Sequence, residues 1–171
     1  NISTVPYPVV NVSNDTSICF GDQALLFASG GIDFRWIPAS GLSDTRIFNP
    51  VASPPATTVY RVAVTDNRGC PKPSFDSVVV RVVPPVPAFA GNDTAIVVGQ
   101  PLQLNASGGT GFQWTPSFGL NNPNIGNPVA SLGEDFQYSV RVNTPEGCFA
   151  FDTINIRVFK TAPDIFVPTA F

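Results

Sequence analysis

Apolar and polar residues alternate along short stretches of this chain, and glycine or proline interrupts each one. QALLFAS at 23–29 and QLNAS at 103–107 carry the two-residue period of a half-buried strand. FRW at 34–36 sets Phe34 and Trp36 on one face and Arg35 on the other; FQW at 112–114 does the same with Phe112, Trp114 and Gln113. TVYRVAVTD (58–66) and QYSVRVNT (137–144) continue the alternation through Tyr60 and Tyr138, and DSVVVRV (76–82) and DTINIRV (152–158) each supply one more strand. No segment has helical period.

The second half rewrites the first. Trp36 recurs as Trp114, a shift of 78 (114 − 36). At that shift NDT at 14–16 meets NDT at 92–94, Gly21 meets Gly99, NPVAS at 49–53 meets NPVAS at 127–131, and Gly69-Cys70 meets Gly147-Cys148. No gap is needed until the first copy inserts two residues after its cysteine. The unit is therefore a domain of about 70 residues, present twice. Its strand spacing predicts an all-β fold of two tandem immunoglobulin-like antiparallel β-sandwiches. Residues 14–83 form the first and 92–159 the second, with 1–13 a linker or the end of a preceding repeat. Phe34, Trp36, Tyr60, Phe112, Trp114 and Tyr138 are expected in the cores. Sugar stacking on the two tryptophans is the weaker reading, because Arg35 and Gln113 point the other way. Between the units, Pro84, Pro85 and Pro87 in segment 84–91 favour an extended, semi-rigid spacer of about 3.1 Å per residue.

Composition narrows the chemistry. Charged residues are only 12% of the chain, its net charge is −3, and it has no histidine. A basic face for nucleic acid is missing, and so is the commonest general base and metal ligand near neutral pH. Ser-Gly-Gly at 29–31 and 107–109 leads into no helix and reads as a turn, not a phosphate loop. Asp15, Asp33, Asp44 and Asp66 are loop carboxylates of the kind that hold calcium in some sandwich modules. They form no dense Asp-x-Asp run, and turn chemistry accounts for all four. No enzyme activity, metal or cofactor is expected, and no apolar run reaches the roughly 18 residues of a membrane span.

Three cysteines remain. Cys19 on the first strand and Cys70 ahead of the last belong to elements that can lie side by side in a sandwich, so a Cys19–Cys70 disulfide is expected. Val97 stands where a second Cys19 would be, which leaves Cys148 as a buried free thiol or, on a sharper reading, one half of an intermolecular bridge.

The ordered motifs NDTSICFGDQALLFASGG, FRWIPASGL and NPVASPPATTVYRVAVTDNRGC resemble the Ig-like/PKD-like repeats of very large secreted surface proteins of Bacteroidetes. APDIFVPTAF at 162–171 resembles the opening of the gliding-motility-associated C-terminal domain, the type B signal read by type IX secretion; residues 160–171 would lead into it. The resemblance implies spacer domains of a gliding adhesin, exported and displayed on the outer membrane. Its partners would be neighbouring repeats and, through the C-terminal domain, a PorP/SprF-like outer-membrane protein. It also makes Ser77, Thr94 and Thr153, each preceded by Asp and followed by an aliphatic residue, candidate O-glycosylation acceptors. The alternative function is a glycan- or protein-binding adhesion module.

Overall fold

The computed structural model describes residues 7–67 and 72–160. Every regular element among them is a β-strand, and the chain divides into two compact units, Asn1–Pro85 and Val86–Phe171. The fold is two tandem Ig-like β-sandwiches.

In the first unit, β2 (Thr16–Cys19), β8 (Ser74–Val83), β7 (Thr58–Thr65) and β5 (Asp33–Ile37) form a sheet in the order β2-β8-β7-β5. β8 pairs antiparallel with β7 and parallel with β2, the register running from Thr16 opposite Val80 to Cys19 opposite Val83. The facing layer is made of two short pairs, β1 (Asn11–Val12) with β4 (Ala28–Ser29) and β3 (Ala24–Leu25) with β6 (Val51–Ala52). Alternation decides what is inside: Ala24, Leu26 and Ala28 from one layer meet Trp36, Tyr60, Val62, Val64, Val78 and Val80 from the other. The free edge of β5 is covered, since the Trp36 backbone N–H donates to the Thr45 carbonyl at 2.8 Å.

The second unit repeats this plan. β9 (Thr94–Val97), β14 (Phe149–Phe159), β13 (Phe136–Asn143) and β11 (Gly111–Thr115) form the large sheet, and β10 (Leu102–Gln103) pairs with β12 (Val129–Ala130) opposite. Its core gathers Ala90, Leu104, Leu132, Trp114, Tyr138, Val140, Val142, Ile154 and Ile156.

Both segments expected as linkers contribute to these cores. Val10 and Val12 pack against the first, while Ala90 is fully buried in the second with Val86 and Ala88 beside it. This explains the Ser-Gly-Gly turns. At each, the incoming chain crosses directly over the first glycine. A methyl added to Gly30 would lie 2.7 Å from the Val9 carbonyl carbon, and one on Gly108 would lie 2.6 Å from that of Pro87. Both glycines also have positive φ, +109° and +106°.

Candidate functional site

The two tryptophans lie inside, 1% and 2% exposed. Each indole N–H donates to a loop carbonyl at 2.9 Å, Trp36 to Ile47 and Trp114 to Ile125. Tyr60 and Tyr138 are fully buried, and their hydroxyls donate to the carbonyls of Ser40 (2.8 Å) and Phe118 (2.6 Å). Burial raises both phenol pKa values. Phe34 and Phe112 are half-buried against their cores. None of these rings offers a sugar platform.

The loop carboxylates and amides serve the backbone, and they do so in register. Asp15 accepts from the Val79 backbone N–H at 2.8 Å, and its counterpart Asp93 accepts from that of Asn155 at 2.8 Å. For Asp93 this N–H, reinforced by the Asn155 side-chain amide, holds the carboxyl below the ordinary aspartate range. Asp44 closes a turn by accepting from the Arg46 N–H; in the second unit Asn122 accepts from Asn124. Ser43 and Asn121 accept in the same way from Val51 and Val129, and Thr57 and Asp135 from Val82 and Val158. Asp15 and Asp93 are the same residue; in the other three pairs the side chain differs between the copies while an acceptor oxygen and its backbone N–H donor are kept.

A depression of the second unit is lined by Asp93, Asp135, Asn155, Arg157 and Phe136 among others, and both its carboxylates are already engaged by backbone N–H groups. Among the described residues, no three His, Cys, Asp or Glu side chains gather as a metal site would require. Asp33 and Asp66, the other loop acids considered for calcium, join no such group.

What faces solvent is a ladder of residues on the central strands. Arg61 lies over the Phe75 ring at 4.2 Å and Arg141 over the Phe149 ring at 4.1 Å, each a diagonal cross-strand pair. Phe149 and Phe151 meet edge to face with centroids 5.6 Å apart, and both are more than half exposed, 51% and 62%. Ser77 and Thr153, at equivalent places on β8 and β14, are also exposed; Thr94 is half-buried.

The cysteines require a correction. Cys148 is buried, 4% exposed, but it is no free thiol: Cys19 and Cys148 are both disulfide-bonded. Cys70 lies outside the described residues.

The sequence matches no protein-family profile and no curated protein. Solved structures do share the fold. A 282-residue C-terminal fragment of intimin, crystallised with the intimin-binding domain of the translocated intimin receptor, aligns over 88% of this chain and 64% of its own at 12% identity and TM-score 0.56. The first two Ig domains of DIP-gamma align over 91% of this chain and 99% of theirs, at 11% identity and TM-score 0.48. The insect immune protein hemolin aligns over 93% of this chain and 49% of its own, at 18% identity and TM-score 0.48. The chain thus spans 64% of the intimin fragment and about half of hemolin. The correspondence is one of Ig-like fold, and no helix among the described residues is long and apolar enough to cross a membrane.

Proposed function

We propose that these two sandwiches are non-catalytic spacer domains of a large secreted cell-surface protein, holding a distal adhesive region away from the cell. The observation that carries this reading is the use made of the repeated polar side chains. Asp15 and Asp93, Asp44 and Asn122, Ser43 and Asn121, and Thr57 and Asp135 are all spent on backbone N–H groups. Where two of them, Asp93 and Asp135, line one depression, each is already engaged by a backbone N–H. Half-cystines at Cys19 and Cys148 fit an oxidising, extracellular compartment. The resemblance of residues 14–158 to surface-protein repeats, and of the tail to a type IX sorting signal, supports a gliding-type adhesin anchored through a PorP/SprF-like protein. That tail, 162–171, lies outside the described residues. Ser77 and Thr153 are then open O-glycosylation acceptors, and Thr94 a more sheltered one.

One observation favours a second reading, an adhesion module that binds glycan or protein. Phe149 and Phe151, with Arg141 beside them, form an outward aromatic stripe that a pure spacer does not need. The experiment is to replace Phe75, Phe149 and Phe151 by threonine in the full-length surface protein and measure cell adhesion. A spacer keeps adhesion at the parent level; a binding module loses it while surface display persists.

A further inference from the structure

β13 pairs with residues 149–156 of β14, whereas β9 joins the opposite edge only at residues 156–159. Along 149–155 that edge meets no other strand among the described residues. Two bonds on the β9 side fix the direction of its backbone groups. The Asn155 N–H donates to the Asp93 carboxylate at 2.8 Å, and the Phe159 carbonyl accepts from the Val98 N–H at 2.9 Å. Every second residue of a strand turns its N–H and C=O the same way. Phe149, Phe151 and Thr153 therefore direct theirs to the open edge, and none into the β13 ladder. All three are also exposed.

The first repeat closes the corresponding edge twice. Phe75 aligns with Phe151, a shift of 76 (151 − 75), so Pro73 stands where the second repeat has Phe149 and offers no N–H. The Ser77 N–H is taken by the Asp76 carboxylate at 2.8 Å. In the second repeat Asp152, the counterpart of Asp76, accepts from the Ala90 N–H at 2.8 Å instead, and the Thr153 N–H is left to the edge. Proline and charged side chains are the usual devices that stop a sheet from adding strands. One repeat carries them; its sibling, on the same fold, does not.

We propose that the open edge of β14 pairs with the same edge of a second copy of this chain, antiparallel about a two-fold axis at Phe151, so that two four-stranded sheets become one continuous sheet. The segment is its own complement. The axis sets Phe151 against its symmetry mate, Phe149 against Thr153 and Ala150 against Asp152, with no like charges opposed. Each of the three outward pairs then exchanges two N–H···O bonds. Phe149 and Phe151, both more than half exposed, are covered on the outer face. Before Phe149 the chain turns towards β13 at Gly147, φ +90°, and so clears the Asp93 that caps Asn155. The pairing would tie neighbouring molecules side by side; it is compatible with the spacer reading and does not depend on it.

The test uses the intact chain, produced without glycosylation because a sugar on Thr153 would obstruct the pairing. Sedimentation velocity is expected to show a monomer–dimer equilibrium with a dissociation constant of about 10 µM to 1 mM, the class of a small interface. Amide exchange should slow with concentration at Phe149, Phe151 and Thr153, while Ala150 and Asp152, bonded to β13, are protected throughout. Thr153→Pro removes an edge N–H and no β13 bond, and should weaken association by roughly tenfold or more with the fold intact. Phe151→Lys leaves the backbone alone and opposes like charges at the axis; it should weaken association likewise, whereas Phe75→Lys, its counterpart in the first repeat, should not. A chain still monomeric at about 1 mM, association that survives both β14 variants, or protection gained elsewhere refutes the pairing. A monomer that instead captures an extended strand of another protein refutes the second copy as occupant.

Discussion

Replacing Gly108 by alanine isolates the role of the chain crossing at the entry to the second sandwich. The added methyl would sit 2.6 Å from the Pro87 carbonyl carbon, closer still to its oxygen, and 3.1 Å from the Ala88 Cα, all backbone atoms that no rotamer change can move. Segment 87–89 must lift. That breaks the two bonds between Phe89 and Ser107, 3.1 and 2.9 Å, at about 1 kcal/mol each. The φ of +106° adds about 1–2 kcal/mol of backbone strain. The sum is about 3–4 kcal/mol, before any loss from loosened packing of Val86 and Ala88. Gly99→Ala is the matched control: its φ is +78° but nothing lies within 4 Å, so only the strain remains. Hydrogen exchange resolved by peptide, followed across a urea series, reads the opening of β13 and β14 with β7 and β8 as internal reference. Gly108→Ala should lower protection of β13 and β14 by roughly a hundredfold more than Gly99→Ala, the equivalent of about 2–3 kcal/mol. Equal losses in the two variants would refute the crossing argument.

Other expectations follow from the same geometry. Tyr138→Phe removes the bond to the Phe118 carbonyl and should cost about 1–2 kcal/mol in chemical denaturation, with Tyr60→Phe costing similarly in its own unit. Because burial raises both phenols, their stabilisation is complete below about pH 10, where unfolded tyrosines ionise, and is lost as pH climbs through the folded values. Absorbance titration near 295 nm should therefore show two phenols ionising late and together with alkaline unfolding. The first repeat predicts what the second tolerates at position 135: Asp135→Thr should leave denaturant stability nearly unchanged, whereas Asp135→Ala should cost about 1 kcal/mol by stranding the Val158 N–H. If the surface-protein resemblance extends to modification, intact mass of protein from its native host should exceed the sequence mass by hexose-type increments removed by Ser77→Ala and Thr153→Ala.

Much of the fold was legible because a two-residue period acts locally. Strands through Trp36, Tyr60, Trp114 and Tyr138 could be placed with their buried faces, and the repeat fixed the copy number. Three things were not. The entry segments 10–12 and 86–90 read as linkers because proline thins their apolar pattern, although they close the cores. The Ser-Gly-Gly turns looked like simple bends, since a backbone crossing from elsewhere in the chain leaves no mark beside the glycine. The loops SDTRIF (43–48) and NNPNIG (121–126) share almost no letters, so nothing in the sequence marks that Ser43 and Asn121, or Asp44 and Asn122, supply equivalent acceptor oxygens. The bonded state of Cys148 was missed because Val97, standing where a second Cys19 would be, removed the only partner that the repeat offered.

The most direct measurement concerns whether this region acts by its architecture or by its surface. In the full-length protein, residues 7–160 would be exchanged for an unrelated rigid pair of Ig-like domains or, separately, for a flexible Gly-Ser chain of equal residue number, and adhesion scored at matched surface display. Adhesion kept by the unrelated rigid pair and reduced by the flexible chain is the predicted result. Adhesion abolished by both replacements would contradict the spacer account and assign the binding function to these two domains themselves.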